Sequence, residues 1–315
     1  MIRRTRSRLR TKSADRAPRD RPAPQRGTLL VATPILLLAF MSGLADRFVY
    51  FPTSEHDGGT PATIGASYED VWIETGDVKL HGWMVPAAGE VGPAASAVHD
   101  AAVESGARPT APVVLFLHGN AGNVSHRLDK LAILHGLDVS VLLVDYRGYG
   151  KSSGEPDEAG LYRDASVAYD DLVRRGYRGD RIVLYGESLG GTVATDLATR
   201  REVAGLVLDS TPTSILAVAR HHYPILPVGL FLAARYDALS RIERVNAPIL
   251  FLHSTEDEIV PFSMGEEMMA AARAPNTLVR LRGGHNDGFL VSVRVYQQAL
   301  RDYFEQLFGG KTHGS

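Results

Sequence analysis

The stretch that most constrains this chain lies between residues 181 and 200, where an apolar run, a glycine-rich turn and a helix-like run follow one another. The turn has the sequence G-E-S-L-G-G and places Ser188 between Gly186 and Gly190. A turn of this kind holds its serine in a strained backbone conformation and lifts the hydroxyl clear of the sheet. The glycines remove side chains where strand and helix crowd each other, and the helix N-terminus directs free N–H groups at the site. The stretch predicts a nucleophilic serine, with a helix N-cap serine as the alternative.

The G-x-S-x-G pattern occurs a second time, at residues 150–154, but in a different context. This copy lies several residues beyond its strand, and Pro156 follows closely, so no helix begins directly at Ser152. It also ends in G-K-S like a phosphate-binding loop, yet Asp145 stands where that motif needs its first glycine. We interpret the second copy as a loop and predict no nucleotide cofactor.

From residue 112 onwards, continuous apolar strands alternate with helices. The predicted strands are 113–117, 139–144, 182–185, 204–208, 248–253 and 277–281, and the helices include 159–175, 262–272 and 288–308. Before them, residues 68–75 and 78–85 alternate around a Gly-Asp turn, which predicts a β-hairpin. Buried strands separated by helices are typical of a mainly parallel sheet covered on both faces. We therefore predict an α/β domain over residues 68–310 with an N-terminal β-hairpin.

Two segments interrupt this alternation. Residues 87–111 are rich in Ala, Gly and Pro and predict a surface insertion. Residues 211–247 contain two apolar runs, Ile215 to His222 and Pro227 to Tyr236, which predict two helices. We interpret this second segment as a small helical cap over the site, with an ordinary connection as the alternative.

Three polar side chains follow predicted strands in the order serine, aspartate, histidine. In open α/β sheets the active site lies at the carboxyl ends of the strands, which places Ser188, Asp257 and His285 at one edge. We predict that Ser188 attacks an acyl carbonyl, that His285 accepts and returns its proton, and that Asp257 fixes the imidazole tautomer. Asp209 also ends a strand and is the alternative acid.

An oxyanion hole requires two backbone N–H groups near the developing charge. We predict the N–H of Leu189, which follows the serine, and that of Asn120 in the loop after strand 113–117, with Ala121 as the alternative. No cluster has metal-ligand spacing on one element, so we predict neither a metal nor another cofactor. The chain has no cysteine, which excludes disulfides and thiol catalysis.

The first 26 residues carry ten Lys or Arg and two acids, giving +8 in a chain whose net charge is −2. Residues 27–45 follow without a charge, and as a helix they span about 28 Å, close to a bilayer core. This favours a membrane partner over nucleic acid and predicts a single transmembrane anchor at the plasma membrane. The positive flank predicts a cytoplasmic N-terminus, an exported catalytic domain and a linker at 46–67. A cleaved signal peptide, giving a secreted protein, is the alternative.

Five motifs together resemble one family: H-G-N-A-G-N at 118–123, D-Y-R-G-Y-G at 145–150, G-E-S-L-G-G at 186–191, D-E-I-V-P from Asp257, and G-G-H-N-D at 283–287. They look like those of the α/β-hydrolase-domain proteins of the membrane-associated lipase and depalmitoylase type. The resemblance implies an α/β-hydrolase fold and a serine hydrolase of esters or thioesters, often of lipids. It also supports the three predicted catalytic residues. A serine peptidase of the same fold and a catalytically silent binding or scaffold protein remain alternatives.

Overall fold

A computed structural model describes residues 49–87 and 109–309 of the chain. The strands of these ranges are β1 (Phe51–Pro52), β2 (Glu69–Thr75), β3 (Val78–Val85), β4 (Val113–Leu117), β5 (Ala121–Gly122), β6 (Ser140–Val144), β7 (Ile182–Glu187), β8 (Gly205–Asp209), β9 (Ile249–Ser254) and β10 (Asn276–Leu281). The α-helices are α1 (Leu128–His135), α2 (Glu158–Arg174), α3 (Leu189–Ala198), α4 (Ile215–His222), α5 (Leu239–Ile242), α6 (Phe262–Ala271), α7 (Gly288–Val291) and α8 (Val293–Phe308).

The main sheet has eight strands in the order β10-β9-β8-β7-β4-β6-β3-β2. The strands from β10 to β6 pair in parallel, whereas β3 pairs antiparallel with both β6 and β2. The predicted mainly parallel sheet and its N-terminal β-hairpin are therefore confirmed. The order places β7 in the middle of the sheet, so the turn that follows it is held by a strand that is paired on both sides.

Apolar side chains from the helices cover both faces of the sheet. One face packs α2 and α3 through residues such as Leu161, Leu172 and Val193. The opposite face packs α1 and α8 through residues such as Leu131 and Leu300. Each fully buried side chain of this size contributes roughly 1.5–3 kcal/mol of hydrophobic stabilisation, and a doubly covered sheet places such side chains on both of its faces.

Two predicted helices differ from the structure. Helix α4 has the predicted bounds, but the second cap helix, predicted from Pro227 to Tyr236, is wrong. Only Val228–Leu230 forms a single 3-10 turn there, and Gly229 inside this turn has a low helix propensity. The predicted helix 288–308 is divided into α7 and α8 at Ser292.

The part of the predicted linker that the structure describes, residues 49–67, packs against the domain. Val49 and Tyr50 are buried, and β1 pairs in parallel with β5. The side-chain amide of Asn123 donates hydrogen bonds to the carbonyls of Thr53 and Glu55. The linker prediction is thus wrong for these residues, because a distant loop supplies the partners of their backbone.

The basic tail, the predicted anchor at 27–45 and residues 88–108 of the predicted insertion lie outside the described residues. Within 49–87 and 109–309, we find no helix with the length and apolar character needed to cross a bilayer.

Candidate active site

Ser188 lies at the tip of the turn between β7 and α3, with backbone angles of φ 50° and ψ −116°. A positive φ is unfavourable for a residue with a side chain and costs on the order of 1–3 kcal/mol. The surrounding backbone holds the turn in place, since the Ser188 N–H donates to the carbonyl of Asp209 and the Ser188 carbonyl accepts from Gly191. The predicted strained serine is therefore present.

The two predicted packing glycines lie where main chains approach closely. A Cβ atom on Gly186 would lie 2.4 Å from Cα of Gly191, and one on Gly190 would lie 2.0 Å from the carbonyl oxygen of Leu117. Both obstacles are backbone atoms, which cannot rotate away as a side-chain tip can. Helix α3 can thus begin against β4 and β7 only because these positions have no side chain.

We expect Gly190→Ala to lower the free energy of unfolding by more than about 3 kcal/mol, because overpacking against rigid backbone cannot relax locally. Gly136→Ala is the matched control. Its Cβ atom would meet only two carbonyl oxygens at 3.4 Å, and its φ of −69° suits alanine. Urea unfolding of both variants measures the difference, and equal midpoints would contradict the packing argument.

The structure brings the side chains of Ser188, His285 and Asp257 together. Nε2 of His285 lies 3.1 Å from Oγ of Ser188, and Nδ1 lies 2.8 Å from Oδ2 of Asp257. The three residues follow β7, β9 and β10, so all of them lie at the carboxyl edge of the sheet, as predicted. Both distances are typical of hydrogen bonds, so Asp257, His285 and Ser188 form one hydrogen-bonded line.

The Asp257 carboxylate determines which nitrogen of the His285 ring carries the proton. Its Oδ1 accepts backbone N–H bonds from Ile259 and Val260 at 3.0 and 2.7 Å. Burial raises the pKa of Asp257, but hydrogen bonds from His253 and His285 outweigh burial and hold the pKa well below its ordinary value. The ionised carboxylate can only accept, so Nδ1 of His285 carries the proton. In the neutral ring, Nε2 then accepts the hydroxyl proton of Ser188.

Asp209, the alternative acid, has other partners. Its Oδ2 accepts hydrogen bonds from Lys130 Nζ at 2.6 Å, from the Tyr185 hydroxyl at 2.5 Å and from the Tyr296 hydroxyl at 2.8 Å. Its side chain is almost fully buried. These bonds assign Asp209 to the support beneath the turn, whereas the carboxylate that contacts His285 is that of Asp257.

Glu187, the residue before Ser188, was not singled out by the sequence analysis. Its carboxylate lies 2.7 Å from Nε of Arg127 and 3.3 Å from Nζ of Lys130. Burial raises the pKa of Glu187, but these two cations outweigh it and lower the pKa to about 2. The spacing of Arg127 and Lys130 places them on one face of the helix that follows the H-G-N loop, which is the signal that could have revealed the contact.

The depressed pKa of Glu187 makes its contribution to stability dependent on pH. Because the pKa of Glu187 is lower in the folded state, its ionised carboxylate stabilises the fold at pH values above the ordinary pKa of 4.5. This stabilisation is lost as the pH falls towards about 2. We expect Glu187→Gln to lower the free energy of unfolding by about 3 kcal/mol at pH 6, and by much less near pH 2.5. Urea unfolding of both proteins at these pH values tests this, and a constant difference would contradict it.

The predicted oxyanion-hole residues flank the serine. The N–H of Leu189 belongs to the first residue of α3, where an amide has no partner within the helix. Asn120 lies in the loop after β4, and its side-chain Oδ1 accepts a hydrogen bond of 3.0 Å from Tyr149. Leu189, Asn120 and Ala121 all line one cavity with Ser188. Their role as oxyanion donors remains a prediction.

This cavity has a volume of about 530 Å³, within the range of small-molecule sites. Its lining is mainly apolar, and the predicted cap segment supplies much of it: Pro212, Ile215, Val218, Ala219, Val228 and Leu232. Val49 and Phe51 also line the cavity, although the sequence predicted a linker at these positions. The serine thus opens onto an apolar chamber between the sheet edge, the 211–247 segment and the N-terminal stretch.

Several known proteins are similar to this chain in sequence or in fold. The family profile described as alpha/beta hydrolase fold matches residues 112–239. An uncharacterized protein of Mycobacterium tuberculosis is 38% identical over 88% of this chain and 92% of its own length. The alpha/beta hydrolase domain-containing protein WAV2 of Arabidopsis thaliana is 32% identical over 89% of this chain and 92% of its own length.

A solved esterase of Pyrococcus furiosus has a similar fold, with a TM-score of 0.63 at 20% identity over 82% of this chain and 98% of that chain. At this identity the likeness concerns the fold alone. The relatives above 30% identity match along almost their whole length, and one of them is named for its alpha/beta hydrolase domain. This chain therefore belongs to the α/β-hydrolase family.

Proposed function

We propose that this α/β-hydrolase is a serine hydrolase of carboxylic esters or thioesters, with Ser188 as nucleophile, His285 as base and Asp257 as acid. The observation that carries the proposal is the hydrogen-bonded line from Asp257 through His285 to Ser188, which ends in the apolar cavity. Serine, histidine and aspartate in this mutual geometry are the means by which many unrelated folds activate a hydroxyl.

The reaction runs in two half-reactions. Oγ of Ser188 attacks the acyl carbonyl while Nε2 of His285 takes the hydroxyl proton, and the Asp257 carboxylate stabilises the resulting imidazolium. The N–H groups of Leu189 and Asn120 stabilise the oxyanion of the tetrahedral intermediate. His285 returns its proton to the leaving alcohol or thiol, which departs and leaves an acyl-enzyme. Water then attacks the acyl-enzyme by the same steps and releases the acid.

The lining of the cavity supports an acyl chain as the bound group. Apolar side chains dominate it, and the chain next to its lining residues Tyr223 and Val228 exposes large apolar side chains, with Ile225 94% and Leu230 81% accessible. Large exposed apolar residues that cluster mark sites of contact with lipid or protein. These observations favour a lipidic or membrane-bound substrate.

The predicted membrane anchor supports the same substrate class. If residues 27–45 span the bilayer, only residues 46–48 separate them from Val49, which lines the cavity. The mouth of the cavity would then stay at the lipid surface. We accordingly propose a single-pass protein of the plasma membrane with a cytoplasmic N-terminus and an exported catalytic domain.

Labelling with a fluorophosphonate tests the enzymatic proposal, because the probe phosphonylates only an activated serine. The probe should label the full-length, folded wild-type protein and should not label the Ser188→Ala variant. An absence of labelling in the wild type would favour a binding or scaffold protein. A labelled protein that also cleaves aminoacyl amides, in a manner that depends on Ser188, would instead be a peptidase.

Lengthening the connection to the anchor tests the membrane proposal. A flexible Gly-Ser insertion of about 20 residues after Ala45 adds roughly 25 Å of reach without altering the described domain. We expect it to slow hydrolysis of esters embedded in vesicles and to leave soluble short-chain esters unaffected. Equal rates on both substrates would remove the support for a lipid substrate. A periplasmic reporter fused after Ser315 tests the topology, and its inactivity would contradict export.

A further inference from the structure

A second group of ionisable side chains lies apart from the cavity and is formed by His56, His81 and Asp145. His56 comes from the packed N-terminal segment, His81 from β3 and Asp145 from the end of β6. Nε2 of His56 lies 3.5 Å from Oδ2 of Asp145, and Nδ1 of His81 lies 3.8 Å from the same oxygen. All three ligand-type atoms lie within 4.8 Å of one another.

The polar atoms that face one another in this group have no hydrogen-bond partner among the described residues. These atoms are Nε2 of His56, Nδ1 of His81 and Oδ2 of Asp145, and all are buried; Nδ1 of His56 and Nε2 of His118 are buried without a hydrogen-bond partner as well. His81 and Asp145 are fully inaccessible. A buried polar atom without a partner costs about 1–3 kcal/mol, so several of them converging on one point require a missing partner.

The remaining contacts of His81 and Asp145 indicate the charge of that partner. Nε2 of His81 lies 2.6 Å from Oδ1 of Asp70, so this nitrogen donates and leaves the lone pair of Nδ1 directed at Asp145. Oδ1 of Asp145 accepts from the N–H of Val124 at 2.9 Å and lies 3.3 Å from Nε2 of His118, whereas Oδ2 faces His56 and His81. Two acceptors that face each other across a buried gap repel, and a cation between them removes the repulsion.

We propose that His56, His81 and Asp145 bind a divalent transition-metal ion of the zinc type. Zinc bonds of about 2.0–2.2 Å in a tetrahedral arrangement place ligand atoms roughly 3.3–3.6 Å apart, so the two distances to Oδ2 require only small adjustments. Imidazole and carboxylate donors suit zinc and its neighbours in the first transition row. The contact between His81 and Asp70 is the carboxylate–histidine pair that commonly supports such a metal.

Gly150 lies beside the three side chains, and its lack of a side chain leaves space for them. A Cβ atom on Gly150 would lie 2.0 Å from Oδ2 of Asp145 and 2.8 Å from Nε2 of His56. The metal joins the N-terminal segment, the β-hairpin and the loop after β6, and thereby stabilises their arrangement. Our prediction of no metal from the sequence considered clusters on single elements, whereas these ligands come from three separate segments.

The proposal is tested on the full-length protein carrying an affinity tag that contains no histidine, since a polyhistidine tag would itself bind metal. Elemental analysis after growth in zinc-supplemented medium should find one equivalent of metal per chain. Removal with a chelator should lower Tm, and added Zn²⁺ should restore it. Co²⁺ added to the metal-free protein should give the visible absorption bands of a site with nitrogen and oxygen ligands of low symmetry.

Variants locate the metal. His56→Ala should lose it, whereas His126→Ala should keep it, because His126 pairs with Asp57 outside the group. Since loss of a ligand could unfold the protein, Asp70→Asn provides a milder change at a half-exposed position, and we expect it to weaken metal affinity about 10- to 100-fold. A wild-type protein that contains no metal and does not respond to Zn²⁺ or Co²⁺ would overturn the proposal. Metal that is retained equally by all the variants would overturn it as well.

Discussion

Replacing Ser188 with alanine should lower kcat for ester hydrolysis by a factor of about 10⁶, because no other group at the site can form the acyl-enzyme. Residual rate over the uncatalysed reaction should remain, since the cavity and the N–H groups of Leu189 and Asn120 still bind and polarise the carbonyl. The fold should survive, because the one hydrogen-bond partner of the Ser188 hydroxyl within residues 49–87 and 109–309 is His285, and the turn is held by backbone bonds that alanine keeps. Single-turnover hydrolysis of a soluble chromogenic ester measures the effect.

Ser152, in the second G-x-S-x-G copy, provides the matched control. Its hydroxyl accepts a hydrogen bond from the N–H of His81 and donates one to the carbonyl of Asp145, both at 2.8 Å. Ser152→Ala should therefore cost about 1–3 kcal/mol of stability and leave kcat per folded molecule unchanged. Ser188→Ala should thus lower kcat and keep the stability, whereas Ser152→Ala should lower the stability and keep kcat. A Ser188→Ala protein with more than about one hundredth of wild-type kcat would exclude Ser188 as the nucleophile.

The parts of the fold that the sequence predicted well are those encoded locally. The run from β7 into α3 carries its own signals, since apolar residues, two glycines and a serine follow within ten positions. The strand ends after β9 and β10 are equally clear, and strand polarity alone brings Asp257 and His285 to the same edge as Ser188. Strand polarity therefore places the three side chains at one edge of the sheet, but it does not decide between Asp257 and Asp209 as the acid.

The parts that were missed depend on partners far away in sequence. Residues 49–67 show no periodicity of their own, and their backbone is bonded by Asn123 and by strand β5, about 70 residues downstream. The support under the turn joins Glu187, Lys130 and Asp209 across three elements. No pattern within a window of a few residues can report such contacts. The second cap helix was wrong for a different reason, because an apolar run does not by itself establish a helix and this one contains Gly229.

The same long-range contacts distinguish the two candidate acids, Asp257 and Asp209. Asp257→Asn should lower kcat by about 10⁴ with little loss of stability. The Asn oxygen can still accept the N–H bonds of Ile259 and Val260, whereas its amide group would face Nδ1–H of His285 as a second donor. The imidazole would then adopt the other tautomer, and Nε2 would carry a proton where it must accept one from Ser188.

Asp209→Asn should do the reverse and lower the stability with little effect on kcat. Its loss of charge leaves Lys130 buried with only Glu187 at 3.3 Å as a counterion, and breaking a buried ion pair costs about 3–5 kcal/mol. The variant should therefore unfold at lower urea concentration, yet its folded fraction should retain kcat within about tenfold of wild type, because Asp209 does not contact His285. Active-site titration with a fluorophosphonate gives the folded, competent fraction and so separates the two effects. If Asp209→Asn loses kcat per titrated site by orders of magnitude while Asp257→Asn does not, the acid belongs to β8 and the hydrogen bond between Asp257 and His285 is not catalytic.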